Sequence, residues 1–232
     1  MAGSELFATP VIFEVAGVAV TRTVVTTWGI VAVLATACWL ATRNVAIESG
    51  FARTIAEAVY TTMEDAVRAV FPQRADRVLP LVATLWLYIL VANLVGIVPG
   101  LHSPTDDLSQ TAALAVVVFL AVHVYGVRAH GLLAYLRHYL APNPVFLPFH
   151  LMGEFSRTIA LTVRLAGNVM SLEVAALLVL MVAGFLVPVP VLMLHIVEAL
   201  VQAYIFGMLA LIYVAGAIQL QDSRMTEKET SQ

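Results

Sequence analysis

The sequence predicts an all-α membrane protein. We expect about five membrane-crossing helices plus one amphipathic interfacial helix, the last two crossing helices being long and steeply tilted as a hairpin. Of 232 residues, 61% are hydrophobic and 12% charged, and the mean hydropathy is +0.92, whereas a soluble domain is about 45–50% apolar and about 25% charged. The apolar residues also form runs long enough to cross about 30 Å of hydrocarbon.

Composition excludes several classes of protein and site. Cys38 is the single cysteine, so no disulfide can form within the chain, and no metal-ligand spacing is present. The net charge of −3 includes no basic run that would indicate nucleic-acid binding. The N-terminus lacks a basic region before its first apolar helix, so we expect no cleaved signal or transit peptide. No P-loop occurs, and we expect no cofactor and no bound nucleotide.

The first third of the chain holds an outer segment, a span and an amphipathic helix. Residues 1–22 mix acidic, basic and apolar side chains, and we expect them to lie outside the membrane. Residues 24–42 hold no charge and form the first span. In residues 48–71, apolar side chains recur at spacings of three, four and seven, opposite the i,i+4 pairs Arg53/Glu57 and Glu64/Arg68. This pattern fits a helix lying in the membrane interface or a solvated surface helix, and both interpretations stay open.

The rest of the chain holds four further spans. Residues 79–99 and 111–127 are the second and third, and Asp106 and Asp107 are placed to cap the helix that follows them. Residues 148–186 and 189–220 form the terminal hairpin, and we expect the polar tail 221–232 to be cytoplasmic and disordered.

The hairpin helices are longer than a membrane requires. Residues 148–184 would form a helix of about 55 Å at 1.5 Å per residue. Crossing about 30 Å of hydrocarbon then requires a tilt of roughly 55–60°. Two long slanted helices suggest a surface that curves around something.

Lysine and arginine alternate between successive loops. Loop 43–78 carries five, loop 100–110 none, loop 128–147 two, turn 184–190 none and the tail two. Basic residues concentrate on the cytoplasmic side of membrane proteins. We therefore predict five passages, with the N-terminus outside and the C-terminus in the cytoplasm.

The apolar hairpin contains six ionisable side chains. A charge at mid-helix in a membrane costs roughly 2.5–3.5 kcal/mol on insertion scales, so such residues persist where they function or are paired. Arginine is the most informative because it cannot lose its charge by deprotonation. The six are Glu154, Arg157, Arg164, Glu173, His195 and Glu198.

Arg164 lies on a face of small residues. Four of them fall within about 60° of it at 100° per residue: Ala160, Gly167, Ser171 and Ala175. Small residues let a neighbouring helix approach closely in lipid. Asn168, one turn on, can steady the guanidinium, whereas Glu173 faces elsewhere. For Glu154 and Arg157 we favour a local i,i+3 ion pair.

A polar stripe runs along the last helix. His195, Glu198 and Gln202 fall within about 60° of one another. Such a stripe beside a water-lined cavity could pass ions, because histidine and glutamate titrate in a suitable range. Plain hydrogen bonding between helices is the alternative, and it applies equally to Asn168 and Gln202.

The segments SRTIALTVRLAGNVMSLE (156–173) and HIVEALVQAYIF (195–206) resemble subunit a of F-type ATP synthases, and NLVGIVPG (93–100) and SPTDDLSQTAALA (103–115) resemble its earlier helices. The resemblance implies a non-catalytic stator subunit of a bacterial inner membrane. It would work with a ring of c subunits and a peripheral-stalk subunit b, passing H⁺ or Na⁺. Arg164 would face the ring carboxylate and Asn168 and Gln202 would flank it. Glu173 and His195 match positions implicated in the ion path.

The mechanism that this implies is electrostatic. An opposite charge within about 4–6 Å lowers the pKa of a carboxylate by about 1–3 units. A ring carboxylate passing Arg164 would therefore release its ion there and reload from a second half-channel. Each elementary charge moved through 100 mV supplies about 2.3 kcal/mol.

Two other functions compete with this hypothesis. A secondary transporter would use Arg164 to hold an anionic substrate, but such folds usually have internal repeats and broken helices, and neither is evident. A non-conducting membrane scaffold would leave Arg164 without a role in transport.

Overall fold

The computed structural model describes residues 11–15, 18–43, 51–72, 74–98, 103–133, 135, 147–183 and 188–229. A short antiparallel hairpin comes first, with β1 (Val11–Val15) paired to β2 (Val18–Thr21). We did not predict these strands, although their valine-rich composition is typical of strands. They belong to the segment expected outside the membrane, whose residues 1–10 lie beyond the described part.

Six α-helices follow the hairpin. They are α1 (Arg22–Arg43), α2 (Phe51–Val70), α3 (Ala75–Val95), α4 (Leu108–His130), α5 (Leu147–Ala183) and α6 (Pro188–Glu229), and a 3-10 turn at Pro104–Asp106 precedes α4. All but α2 are long and apolar enough to cross a membrane. The all-α membrane fold with five crossing helices is confirmed.

The structure corrects the prediction for the C-terminal tail. We expected residues 221–232 to be disordered, but α6 continues as a helix to Glu229. No glycine or proline follows Gly216, and glutamine, arginine, methionine, glutamate and lysine in this stretch all favour helix. Helix propensity therefore prevails over the polar composition. α6 is 42 residues long and α5 is 37, so both exceed one membrane thickness.

The core forms around α3, which packs most extensively against α6. Val78, Val82 and Ile89 of α3 are fully buried, as are Leu211 and Val214 of α6. α4 packs against both hairpin helices, whereas α1 contacts α3 from the periphery and leaves most of its surface exposed. The long hairpin is thereby fixed on one side by α3 and α4.

One close approach fixes the contact between α3 and α6. The Trp86 indole Nε1 donates to the Tyr204 carbonyl over 3.1 Å, and the two rings stack 5.9 Å apart. The indole fills the place where a Cβ on Gly207 would lie. Glycine at 207 is therefore required for this approach.

The start of α4 follows the predicted capping. Asp107 Oδ1 accepts from the Ser109 backbone N–H over 2.9 Å, which satisfies one of the unpaired donors of the first turn. Its Oδ2 also accepts from the Thr23 hydroxyl over 3.1 Å. Asp107 thus ties α1 to the loop before α4.

α2 forms a helix where residues 48–71 were predicted to be helical. Among its described side chains, only those of the C-terminal end pack inward: Val67 is fully buried and Phe71, just beyond the helix, is nearly so, whereas Ile55 and Tyr60 are exposed. The predicted Glu64–Arg68 ion pair is present, and the Arg53 side chain of the other pair lies outside the described residues. Both interpretations of this helix, interfacial or solvated, stay open.

Candidate functional site

Arg164 lies on α5 at the edge of the face that packs against the rest of the chain. Leu161, Leu165 and Val169 are buried on the packed face, while Arg164 itself is exposed. Among the residues that the structure describes, no carboxylate comes within ion-pair distance of its guanidinium. The chain therefore holds a permanent charge on an open surface of an apolar helix.

The surface beside Arg164 is shallow. Ala160, Gly167 and Ser171 are exposed, and a Cβ built on Gly167 would meet nothing within 4 Å. Ala175, the fourth small residue of the predicted face, is half-buried. A separate helix could therefore come close to Arg164 along this surface.

A hydrogen bond joins α5 to α6 one turn beyond Arg164. Asn168 Nδ2 donates to Gln202 Oε1 over 2.9 Å. Gln202 is only 1% exposed, and its Nε2 has no hydrogen-bond partner among the described residues. The sequence placed both residues beside Arg164, and the structure joins them directly.

The polar stripe on α6 faces inward. His195 is 4% exposed and Glu198 is half-buried. His195 Nε2, like Gln202 Nε2, is buried without a partner within the described part of the chain. Buried polar atoms in proteins are nearly always hydrogen-bonded to protein or water. The stripe thus presents two hydrogen-bonding atoms that the described helices do not satisfy.

The hairpin places the polar residues at defined depths. α5 and α6 run antiparallel because only residues 184–187 connect them. Measured along the helices toward that connection, Glu173 is about 7.5 Å beyond Asn168, and His195 is about 10.5 Å beyond Gln202, at 1.5 Å per residue. Glu173 and His195 therefore lie on the connection side of the Asn168–Gln202 bond. The Glu173 side chain lies outside the described residues.

Arg157 is held quite differently from Arg164. Its Nη1 donates to Glu154 Oε1 over 3.2 Å, and its guanidinium lies over the Tyr213 ring at 4.2 Å. The predicted local ion pair between Glu154 and Arg157 is confirmed. Arg157 therefore makes its charge and ring contacts within the chain.

Asn93 is a lone polar side chain in the apolar run 79–99, and it is buried in the fold. Asn93 is 1% exposed, and its Oδ1 accepts from the Thr105 hydroxyl. Its Nδ2, however, has no partner among the described residues. An amide in the apolar run 79–99 was the available signal, but only the fold shows that half of the side chain is left unsatisfied. By contrast, His123 contacts the Phe119 carbonyl at 2.8 Å and is satisfied locally.

A family model described as ATP synthase A chain matches residues 24–215, which include every residue of the candidate site described in this subsection. This chain belongs to the ATP synthase subunit a family. It is 57% identical to ATP synthase subunit a 2 of Pelobacter propionicus over 97% of this chain and 98% of that one. It is 58% identical to ATP synthase subunit a 1 of Hahella chejuensis over 91% and 90%. It is 52% identical to ATP synthase subunit a of Legionella pneumophila over 95% and 96%.

Membership in the subunit a family decides between the functional hypotheses at a coarse level. The chain is a multi-pass membrane subunit of an F-type ATP synthase, takes part in ion transport for ATP synthesis and works with the other subunits of that complex. It is not the catalytic subunit. The secondary-transporter hypothesis is not favoured.

Proposed function

We propose that this chain is the stator ion channel of a rotary ATP synthase, with Arg164 as the gate between two half-channels that pass H⁺ or Na⁺ to and from the carboxylates of a c-ring. The observation that carries the proposal is the exposure of Arg164 on an open, small-residue surface of α5. A structural arginine would be expected to pair within the chain, as Arg157 does. Arg164 is instead available to an acidic partner.

The electrostatics of the gate follow from this placement. A ring carboxylate must be neutral to travel through lipid. Within about 4–6 Å of a guanidinium its charged form is favoured, and it releases its ion. The same fixed positive charge repels a cation moving directly from one half-channel to the other. Rotation of the ring is then required for net transport.

The polar residues of the hairpin support a half-channel on the connection side of the gate. His195, Glu198 and Gln202 line one stripe of α6, and two of them carry buried nitrogens without partners in the described chain. Water in a narrow path would satisfy these atoms. Glu173 lies on the same side of the Asn168–Gln202 bond and is proposed to belong to this path, while Asn168 and Gln202 support the gate.

We further propose the setting in which the gate works. The partner at the Arg164 surface is the c-ring, and a peripheral-stalk subunit b holds this subunit against it. The membrane is the bacterial inner membrane, with the N-terminus outside and the C-terminus in the cytoplasm, as the alternation of basic residues among the loops favours. The connection between α5 and α6 then lies toward the outer side.

Substitution of Arg164 tests the gate. In inverted membrane vesicles, we expect Arg164→Ala and Arg164→Lys to abolish ATP-driven ion pumping while the complex still assembles. Lysine should fail because it lacks the planar fork and can lose its charge next to apolar surroundings. Arg157→Gln is the matched control, since it removes an arginine two turns away that pairs within the chain. We expect that variant to pump.

Two outcomes would overturn the proposal. Normal pumping by Arg164→Lys would exclude the gate, because a charge alone would then suffice. Equal loss of pumping in Arg157→Gln and Arg164→Ala, with both complexes assembled, would mean that any charge lost from this helix has the same effect.

A further inference from the structure

A second charged site, apart from the Arg164 surface, lies where the start of α3 and the end of α4 meet α6. A cavity of about 260 Å³ is lined by Arg74, Arg77, Tyr125, Arg128, Ala129 and Ile218. These residues come from the start of α3, the end of α4 and the C-terminal half of α6. In the sequence, the apolar runs at 79–99 and 111–127 border these arginines, and polar residues follow Ile218. This pattern is expected at the depth where a chain leaves the hydrocarbon and meets lipid headgroups.

The lining is strongly basic. Three of its six residues are arginines, and none of the lining residues is acidic. Among the described residues, neither Arg77 nor Arg128 forms an ion pair with a carboxylate. Asp76, the acid beside Arg77 in sequence, lies 3.8 Å from Arg68 instead. The charges of Arg77 and Arg128 are thus brought together here without a matching acid among the described residues.

We propose that this cavity binds the phosphate group of an anionic phospholipid headgroup from the leaflet on that side of the membrane. Guanidinium groups match phosphate oxygens with paired hydrogen bonds, and basic pockets between membrane helices favour anionic headgroups. The first turn of α3 adds the positive end of the helix dipole. Ala129 and Ile218 supply an apolar border where the acyl chains would begin.

The size and construction of the cavity fit a headgroup. Pockets for complete small-molecule ligands are usually about 300–1,000 Å³, so 260 Å³ suits a phosphate with part of its glycerol. The Tyr125 hydroxyl donates to the Arg77 carbonyl over 3.0 Å, which fixes the start of α3 against α4 at this point. A lipid bound here would join the start of α3 and the end of α4 to α6.

The chain offers one competing anion by helix spacing. Asp222 follows Ile218 by one turn of α6, and its side chain lies outside the described residues. Pairing of Asp222 with these arginines would neutralise the cavity from within. The experiment must therefore separate a lipid phosphate from this carboxylate and from free phosphate.

Native mass spectrometry of the purified complex tests the site. After exchange into a neutral detergent, the complex is offered phosphatidylglycerol or phosphatidylcholine, and retained lipid is counted. We expect Arg77→Gln/Arg128→Gln to weaken phosphatidylglycerol retention by about tenfold or more. The control Arg43→Gln/Arg68→Gln removes two positive charges that lie outside the cavity. We expect this control to retain as much phosphatidylglycerol as the unsubstituted complex does. Phosphatidylcholine should not be held by any of them. If the double variant does not assemble, Arg128→Gln alone is measured instead, and we again expect weaker retention of phosphatidylglycerol.

Three results would overturn the proposal. Unchanged retention in Arg77→Gln/Arg128→Gln, or an equal loss in the control, would exclude a specific site at the cavity. Displacement of phosphatidylglycerol by an equal concentration of inorganic phosphate would identify a site for free anions. A rise in retention for Asp222→Asn, with none of the loss expected for Arg77→Gln/Arg128→Gln, would mean that the arginines are neutralised within the chain.

Discussion

Two arginines on one helix illustrate how the surroundings of a residue decide its role. Arg157 and Arg164 are seven residues apart and therefore fall on nearly the same face of α5. Arg157 is held by Glu154 and by the Tyr213 ring. Arg164 is exposed without an ion-pair partner in the described chain. The sequence distinguished the two because Glu154 stands one turn from Arg157, whereas no acid stands within four residues of Arg164.

The Asn168–Gln202 bond allows a prediction at the residue scale that separates gate support from plain interhelical bonding. Gln202→Leu removes both this bond and the unpartnered Nε2. We expect it to reduce ion pumping several-fold in membrane vesicles, because the proposed hydrated path would lose a hydrogen-bonding group. The thermal stability of the complex should fall only modestly, since interhelical hydrogen bonds in membranes contribute about 0.6–2 kcal/mol.

Gln110→Leu is the matched control. Gln110 Nε2 donates to the Tyr88 hydroxyl over 2.7 Å, joining α4 to α3 with a bond of the same kind. We expect this variant to lose similar stability and to pump normally. If the two leucine variants lost pumping in proportion to their loss of stability, Gln202 would have a packing role only.

At the scale of elements, the contact between α3 and α6 positions the hairpin. Trp86 approaches the α6 backbone where Gly207 leaves room, and its indole is bonded to the Tyr204 carbonyl. Ala203 and Gly207 are small residues one turn apart in the sequence of α6, but the sequence alone does not name the residue that packs against them. Such pairings depend on the relative height and rotation of two helices, which are set by the whole core.

Gly207→Ala should disturb this contact. The added methyl group would overlap the Trp86 indole, and overpacking in a well-filled core costs about 1–3 kcal/mol. We expect a lower melting temperature for the complex and reduced pumping, because the polar stripe of α6 shifts with its helix. Gly216→Ala is the control, since a Cβ there meets nothing within 4 Å and alanine favours helix over glycine by about 1 kcal/mol. A melting temperature that is unchanged in Gly207→Ala would contradict the close packing described here.

At the scale of the whole molecule, the sequence predicted the number and kind of the helices because lipid imposes a simple rule. A backbone in hydrocarbon must satisfy its own hydrogen bonds, so long apolar runs become helices. The same rule does not apply outside the membrane. The β1–β2 hairpin went unpredicted, and the tail that continues α6 to Glu229 was wrongly expected to be disordered.

The candidate site was also only partly predictable. Helix spacing grouped Arg164 with its small neighbours and grouped His195 with Glu198 and Gln202, since these relations lie within single helices. The bond from Asn168 to Gln202 and the unpartnered amide of Asn93 depend on contacts between helices. The orientation of the termini stays a prediction, because it concerns the membrane rather than the contacts of the chain.

The proposed gate requires that Arg164 and its small-residue surface face an acidic rotor, and cysteine cross-linking to the proposed ring subunits measures this directly. With Cys38 replaced by serine, cysteines at 160, 167 and 171 are each oxidised in membranes together with a cysteine near the ring carboxylate. We predict disulfide-linked products for these three positions and none for Phe155→Cys, which is exposed but lies about 180° from Arg164 around α5. Products from 155 alone, or none from the Arg164 surface, would contradict the account.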